Sequence, residues 1–358
     1  MYRPFILLLT LIVILPCFVK AKGIETDRKK LKTPPRIIRT CCAFGSDVGV
    51  MGLPFIRYTE ATSIEKIGRH QYLGSKDEAN GIVYTCRGGF IDLGHLRDQA
   101  DWTAWLYYQI NEHAGQQFSV KLGREGGVKK LSFDVPSDMS AHDRRQLAGR
   151  IAYDLSVWHE IVTWYGVSSV PLVPERYSSF SIEDDYSNLL GIHLGMQALA
   201  SDDDFESAMT RLVAENLLEL GAVASEAETL EAMEKVEDEW WTRDKKLPSR
   251  KILKVRDIAD YTGASPLIVP QWCTTDDPVH LAMPMLTDQQ EELTAFYSLN
   301  LKLRGKMYLR YRNAVERSRI ITEEEFLYLL EHIGEEEQLM TESDRLKEER
   351  RQQRRKKG

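Results

Sequence analysis

Between Ser140 and Gly166 the chain carries one uninterrupted helical signal. Leu147, Ile151, Leu155, Trp158 and Val162 recur every three or four residues, the period of a single helix face. Ser140 with Asp143 three residues on makes a capping-box-like start, and Gly166 a stop. So long an apolar stripe has to be buried, which requires a folded core around it. The flanking segments supply partners. Val120/Leu122 and Leu131/Phe133/Val135 alternate on either side of Gly126-Gly127, which predicts a hairpin of strands 117–123 and 128–135. Gly81–Cys86 reads as a strand, and Ile91 and Leu93 flank Asp92 as at a strand end. From about His95 or Asp98 the pattern turns helical, with Trp102, Trp105, Leu106 and Ile110 on one side and Gly115 as the stop. Helices are expected over 181–200, opened by Ser181, and over 204–221 and 225–240. Short strands are expected near 252–255 and 267–269, and a last helical stretch over 287–355. No internal repeat is visible. The expected class is α+β, predominantly helical, with a small antiparallel sheet in the N-terminal half.

The N-terminus reads as an export signal. Arg3 precedes an uncharged run, Phe5–Leu15; Pro16 breaks it, and Val19 and Ala21 put small residues at −3 and −1 of a cleavage point before Lys22. The run is short of the roughly 20 residues that span a bilayer. Losing Arg3 and Lys20 takes the net charge from −7 to −9, which argues against general nucleic-acid binding. Residues 22–37 are expected as a flexible lead-in, 38–285 as a single globular domain, and 286–358 as a helical, charged extension. Membrane contact is expected only through an uncleaved signal or the basic tail from Arg345 to Lys357. Four cysteines remain after cleavage: Cys41, Cys42, Cys86 and Cys273. In an exported chain they are disulfide candidates, the expected bridge running from the 41–42 pair to Cys86 or Cys273. The adjacent pair lacks the gap that turns two thiolates onto one zinc.

Three segments combine polar groups with aromatic packing. In the first, His95 and Asp98 share a helix face, so the acid could fix the imidazole tautomer. In the second, His159-Glu160 sits mid-helix between Trp158 and Trp164. The pair has the look of a zincin motif, but Thr163 stands where the second His would fall. In the third, Ser181 to Asn188, Glu183/Ser187 and Asp184/Asn188 are i, i+4 pairs on an oxygen-rich face that also suits helix capping. Together His95, His159 and Glu183 are candidate ligands for zinc or another divalent metal, with Glu160 as a base on metal-bound water. A metal-free version uses His95 with Asp98, or His159 with Glu183, as an acid–base pair. The same residues also fit a buried polar network that only holds helices together. No nucleophile elbow, P-loop or dinucleotide fingerprint occurs.

Four ordered blocks carry a resemblance: Thr40–Gly45, Gly89–Trp102, Trp158–Gly166 and Ser178–Gly191. Over roughly residues 35–275 the chain resembles an exported bacterial family, domain-of-unknown-function family 4056. The resemblance implies a bacterial envelope or periplasmic protein and carries no activity with it. The leading expectation is an exported, metal-dependent hydrolase acting on an envelope substrate. The rivals are a non-catalytic envelope protein and a metal-free hydrolase or transferase.

Overall fold

A computed structural model describes residues 31–35, 39, 43–46, 49–50, 53–57, 59–167, 175–243, 253–258, 260–273, 277–304, 308, 311 and 319–357. The signal region 1–21, lead-in residues 22–30, and Cys41 and Cys42 lie outside them.

The expected α+β, mostly helical class holds. Strands β1 (Gly49–Val50) and β2 (Leu53–Arg57) pair first, followed by the hairpin of β3 (Ile82–Thr85) and β4 (Gly89–Asp92). Gly89 turns this hairpin at φ +64°. A Cβ there would stand 2.5 Å from the Leu267 carbonyl oxygen, so only glycine fits. The chain runs from β4 straight into helix α1 (Leu93–His113), which Asp92 caps by accepting from the Gly94 and His95 amides. The hairpin of β5 (Gln117–Lys121) and β6 (Gly127–Asp134) follows as expected. Helix α2 (Ala141–Trp164) is capped by Ser140, which accepts from the Asp143 amide at 3.0 Å.

Helix α3 (Asp184–Ala200) begins three residues later than Ser181 suggested. Ser181 and Asp184 instead bond each other in a turn: the Ser181 amide donates to Asp184 Oδ2 and the Asp184 amide to the Ser181 carbonyl. Helices α4 (Phe205–Glu219) and α5 (Glu226–Lys235) follow, the latter opened by a Ser225–Glu228 capping box. The last helix, α6, spans Phe326–Lys357.

The expected helical stretch from 287 is corrected. Residues 297–303 form strand β9, between the short pair β7 (Gly263–Ala264) and β8 (Leu281–Ala282) and the two-residue strand β10 (Ile320–Ile321). The main sheet runs β10-β9-β6-β5, all antiparallel, with Tyr297 opposite Phe133 and Leu303 opposite Gly127. Tyr297, Leu299, Leu301 and Leu303 alternate into the core. The first part of the expected extension 286–358 therefore completes the N-terminal hairpin's sheet. Leu31 of the expected lead-in is also buried, and the Thr33 carbonyl accepts from the Tyr72 hydroxyl.

Three helices position the site. Helices α1 and α3 touch backbone to backbone: a Cβ on Gly191 would fall 2.0 Å from the Leu96 carbonyl oxygen, and one on Gly195 3.1 Å from the Ala100 Cα. That contact sets their N-termini side by side. Helix α2 packs on both, its Trp158 and Trp164 fully enclosed.

The disulfide joins Cys86 to Cys273, not either of them to the 41–42 pair. Cys86 leaves β3 beside Gly221, and the fold returns Cys273 to it across 187 residues, a proximity that spacing does not encode. A disulfide suits an oxidising compartment outside the cytoplasm. No helix among the described residues is long and apolar enough to cross a membrane.

Candidate metal centre

Each of the three helices brings one candidate ligand. His95 sits in the first turn of α1, its Nδ1 3.1 Å from Asp184 Oδ1 and 3.5 Å from Asp92 Oδ2. Asp184 opens α3 and is pinned by the Ser181 amide at 3.2 Å. Glu160 comes from the last turns of α2, and its Oε2 accepts from the Phe180 amide at 2.7 Å. Phe180 holds φ +55°, a left-handed conformation that costs a bulky residue about 1–3 kcal/mol. It is held there from both sides, because its carbonyl accepts from the Asp257 amide at 3.0 Å. One ligand atom from each of His95, Glu160 and Asp184 lies within 4.8 Å of the other two. Metal–ligand bonds of about 2.0–2.2 Å require such a spread, so these three residues could hold a divalent ion.

Behind Glu160 and Asp184 lies a cavity of about 10 Å³, also bordered by Ser156, Asp185, Asn188 and Asp257. It has room for one water or one ion. Four of its bordering residues are carboxylates and none is Lys or Arg. The charge shows in the acidities. Burial, reinforced by Glu183, Glu160 and Asp92 against the relief from His95, holds Asp184 well above the carboxylate range. Burial and the charge of Asp257 do the same to Asp185, whose Oδ1 also accepts from the Tyr153 hydroxyl at 3.0 Å. Asp257 is pushed up to about 6 by burial and Asp260. Arg256 does not relieve this surplus by contact: its guanidinium donates to the Ser179 and Tyr177 carbonyls and faces Glu337.

The expected site residues divide. His95 and Glu160 come together, and Glu160, expected as a base on bound water, lies where it could also be a ligand. His159 points to a different acid. Its Nδ1 lies 2.5 Å from Glu125 Oε1, and Glu125 Oε2 binds Lys129. Burial alone would lower the pKa of His159, yet the hydrogen bond and charge of Glu125 raise it above the ordinary value. The α2 face that carries Glu160 belongs to the site; the face carrying His159 belongs to the β5–β6 turn. Glu183 is fully buried and takes the Ser181 hydroxyl on Oε2 at 2.5 Å, while burial raises it. Its neighbour Asp184 takes the position expected of it.

Asp98 is one turn from His95 yet bonds Arg39 Nη1 at 2.6 Å, in a network with Glu78 and Asp101. It is pushed up to about 7 by burial despite Arg39. The expected His95–Asp98 pair is therefore replaced by His95 with Asp184 and Asp92. Sequence reasoning missed Asp92, Glu125, Asp185 and Asp257 as members of the surroundings. Asp92 had a signal, since it is an acid just before a helical pattern; for Glu125 and Asp257 the sequence holds none. In a second cluster, His142 and Asp288 are exposed and Asp143 is buried, its carboxylate already accepting from the Ser140 hydroxyl and the Asp288 amide.

The site rim is the part near water. The side chains of His95, His159 and Glu125 keep 12 %, 17 % and 14 % of their exposure, whereas Asp92 and Glu183 keep none. No curated protein and no solved structure matches the chain. A family described as protein of unknown function (DUF4056) matches residues 29–270, a span that holds β3, β4, α1 to α5, every ligand candidate and the Asp257 wall. Over two thirds of its length, blocks and site together, the chain belongs to this family.

Proposed function

We propose that the protein is an exported envelope protein that holds a divalent metal on His95, Glu160 and Asp184 and uses it for hydrolysis. The observation that carries the reading is the convergence of those three ligand atoms within 4.8 Å, from three separate helices, beside a surplus of buried carboxylate. Three protein ligands leave coordination positions for water and substrate, and a bound ion supplies Lewis-acid activation of that water. The chain's own contribution would be positioning. Asp92 and Asp184 orient the His95 imidazole, and Phe180 fixes Glu160. Export is supported by the signal pattern and the disulfide.

The test is metal content and turnover of the purified protein. Stoichiometric Zn²⁺ or Mn²⁺ is expected in the wild type, with at least about 100-fold weaker binding in Asp184→Asn and His95→Ala. Metal-dependent cleavage is expected within a panel of ester, phosphoester, peptide and peptidoglycan probes. Wild-type protein that takes up no divalent metal would sink the metal reading. One observation favours a second reading, a non-catalytic metal or polar centre: the cavity admits one ion-sized body and no more. A rise in melting temperature with metal, without turnover of any probe, would select it.

A further inference from the structure

Resting on that metal reading, we infer that the cavity behind the triad is a second cation position for a hard, oxygen-preferring divalent ion such as Mn²⁺ or Mg²⁺. Asp185, Asn188 and Asp257 would be its own ligands, and Glu160 and Asp184 would be shared between the two ions. Room, donors and charge each support this. The cavity of about 10 Å³ adjoins Glu160 and Asp184 on its near side and the other three residues on its far side. His95 is not among its bordering residues, so the space is separate from the point where the triad converges.

Asn188 is the independent pointer. It is 97 % enclosed, borders the cavity, and its Oδ1 has no hydrogen-bond partner among the described residues. A buried carbonyl oxygen left unmatched costs about 1–3 kcal/mol, and a cation in the cavity would satisfy it. Asn188 follows Asp184 by four residues and Asp185 by three, so α3 presents all three toward one side. Tyr153 fixes Asp185 through Oδ1, and the Asp257 amide anchors its segment to Phe180. All of these donors are oxygens, which suits Mg²⁺ or Mn²⁺ better than zinc.

The charge count points the same way. One divalent ion on the triad offsets Glu160 and Asp184, which leaves Asp185 and Asp257 facing the same cavity with no Lys or Arg on its border. A second divalent ion offsets those two. Paired ions that share carboxylates stand about 3.5–4 Å apart and clamp the attacking and leaving oxygens of one substrate.

Mn²⁺ titration of the purified protein, followed by elemental analysis and electron paramagnetic resonance, tests it. Two Mn²⁺ per chain and a multi-line, exchange-coupled spectrum are expected. Asp257→Asn should leave one Mn²⁺ and a six-line mononuclear spectrum, and Asn188→Ala should weaken the second ion at least about 10-fold. The wild-type spectrum decides the matter even if a variant fails to fold. Saturation at one Mn²⁺ with a six-line spectrum overturns the second position and leaves the triad standing. A stoichiometry of two that Asp257→Asn does not change overturns the assignment to this cavity. No bound metal of any kind overturns the triad and this inference together.

Discussion

Helix α1 borders two groups of buried acids one turn apart, and the two are built on opposite principles. At Asp98 and Asp101 an arginine meets the charge, although burial still leaves Asp98 raised to about 7. Arg39 reaches both at 2.6 and 3.0 Å and grips Glu78 with two further bonds, while His70 Nε2 lies 3.1 Å from Asp101. Burial would raise Glu78, but Arg39 overrides it and brings Glu78 down to about 2. At His95 the charge is left unmatched. Asp184 and Asp185 are raised, a cavity adjoins them, and Asn188 Oδ1 has no hydrogen-bond partner among the described residues. The residue types are nearly the same in both places. What separates a strut from a candidate site is whether an arginine arrives. That depends on residue 39, far away in the chain.

The largest effect that can break this contrast is removal of the arginine. Arg39→Met strands three buried carboxylates and should cost about 3–5 kcal/mol of stability. Urea unfolding reads it, and metal affinity measured below the transition should not change. A comparable change in metal affinity would mean that the two clusters are one.

Acid separates them next. Glu78 titrates lower in the folded protein than in the unfolded chain, so its contribution is complete above pH 4.5 and is lost as pH falls toward 2, about 3 kcal/mol in all. Asp184, Asp185 and Asp257 have the reverse sign, and so does Asp98 beside Arg39. Their raised folded values mean that the native state binds the extra protons, so metal-free stability grows as pH falls from 7 toward 5. Urea midpoints of metal-free protein should therefore rise from pH 7 to pH 5 and collapse below pH 4.5. A monotonic decline from pH 7 would refute the unmatched charge.

Gly191→Ala should cost about 1–3 kcal/mol by forcing α3 off the Leu96 carbonyl. It should also weaken metal binding, because His95 and Asp184 are then drawn apart. Differential scanning calorimetry beside metal titration checks both halves. The smallest effect is the most diagnostic. Asp184→Asn replaces a carboxyl that burial keeps protonated, so at pH 7 the metal-free variant should gain about 1 kcal/mol while it loses metal. A metal-free variant less stable than wild type would place Asp184 with the struts.

Much of the scaffold was legible because its signals are local. The β5–β6 hairpin showed in alternation about Gly126-Gly127, and α2 in its cap and stripe. Strand β9 was not legible as such. Its Tyr297, Leu299, Leu301 and Leu303 do alternate, but charged and helix-forming neighbours on both sides carried the helical reading across them, and only pairing with β6 fixes it as strand. The site was half legible. His95 and Glu160 stood out as costly residues among aromatics. Glu183 is expected because a zincin-like site takes a Glu from the helix that follows its His-Glu helix, but its neighbour Asp184 is the acid that meets His95. His159 was assigned by analogy with zincins, but Glu125 on a distant turn claims it. The Cys86–Cys273 bond and the Asp257 wall are long-range meetings with no local trace.

That bond closes a covalent ring, and His95, Glu160, Asp184 and Asp257 all sit inside it. A protease that nicks any one peptide bond between residues 86 and 273 would leave a single linked molecule, with every ligand-bearing segment still tethered. In the loop-entropy account a ring of this size is worth about 5 kcal/mol against unfolding. The same ring makes the protein answerable to thiols. Where reductant and protease arrive together, a nicked chain falls into two pieces, so the redox state of its surroundings would set how long the assembled site survives.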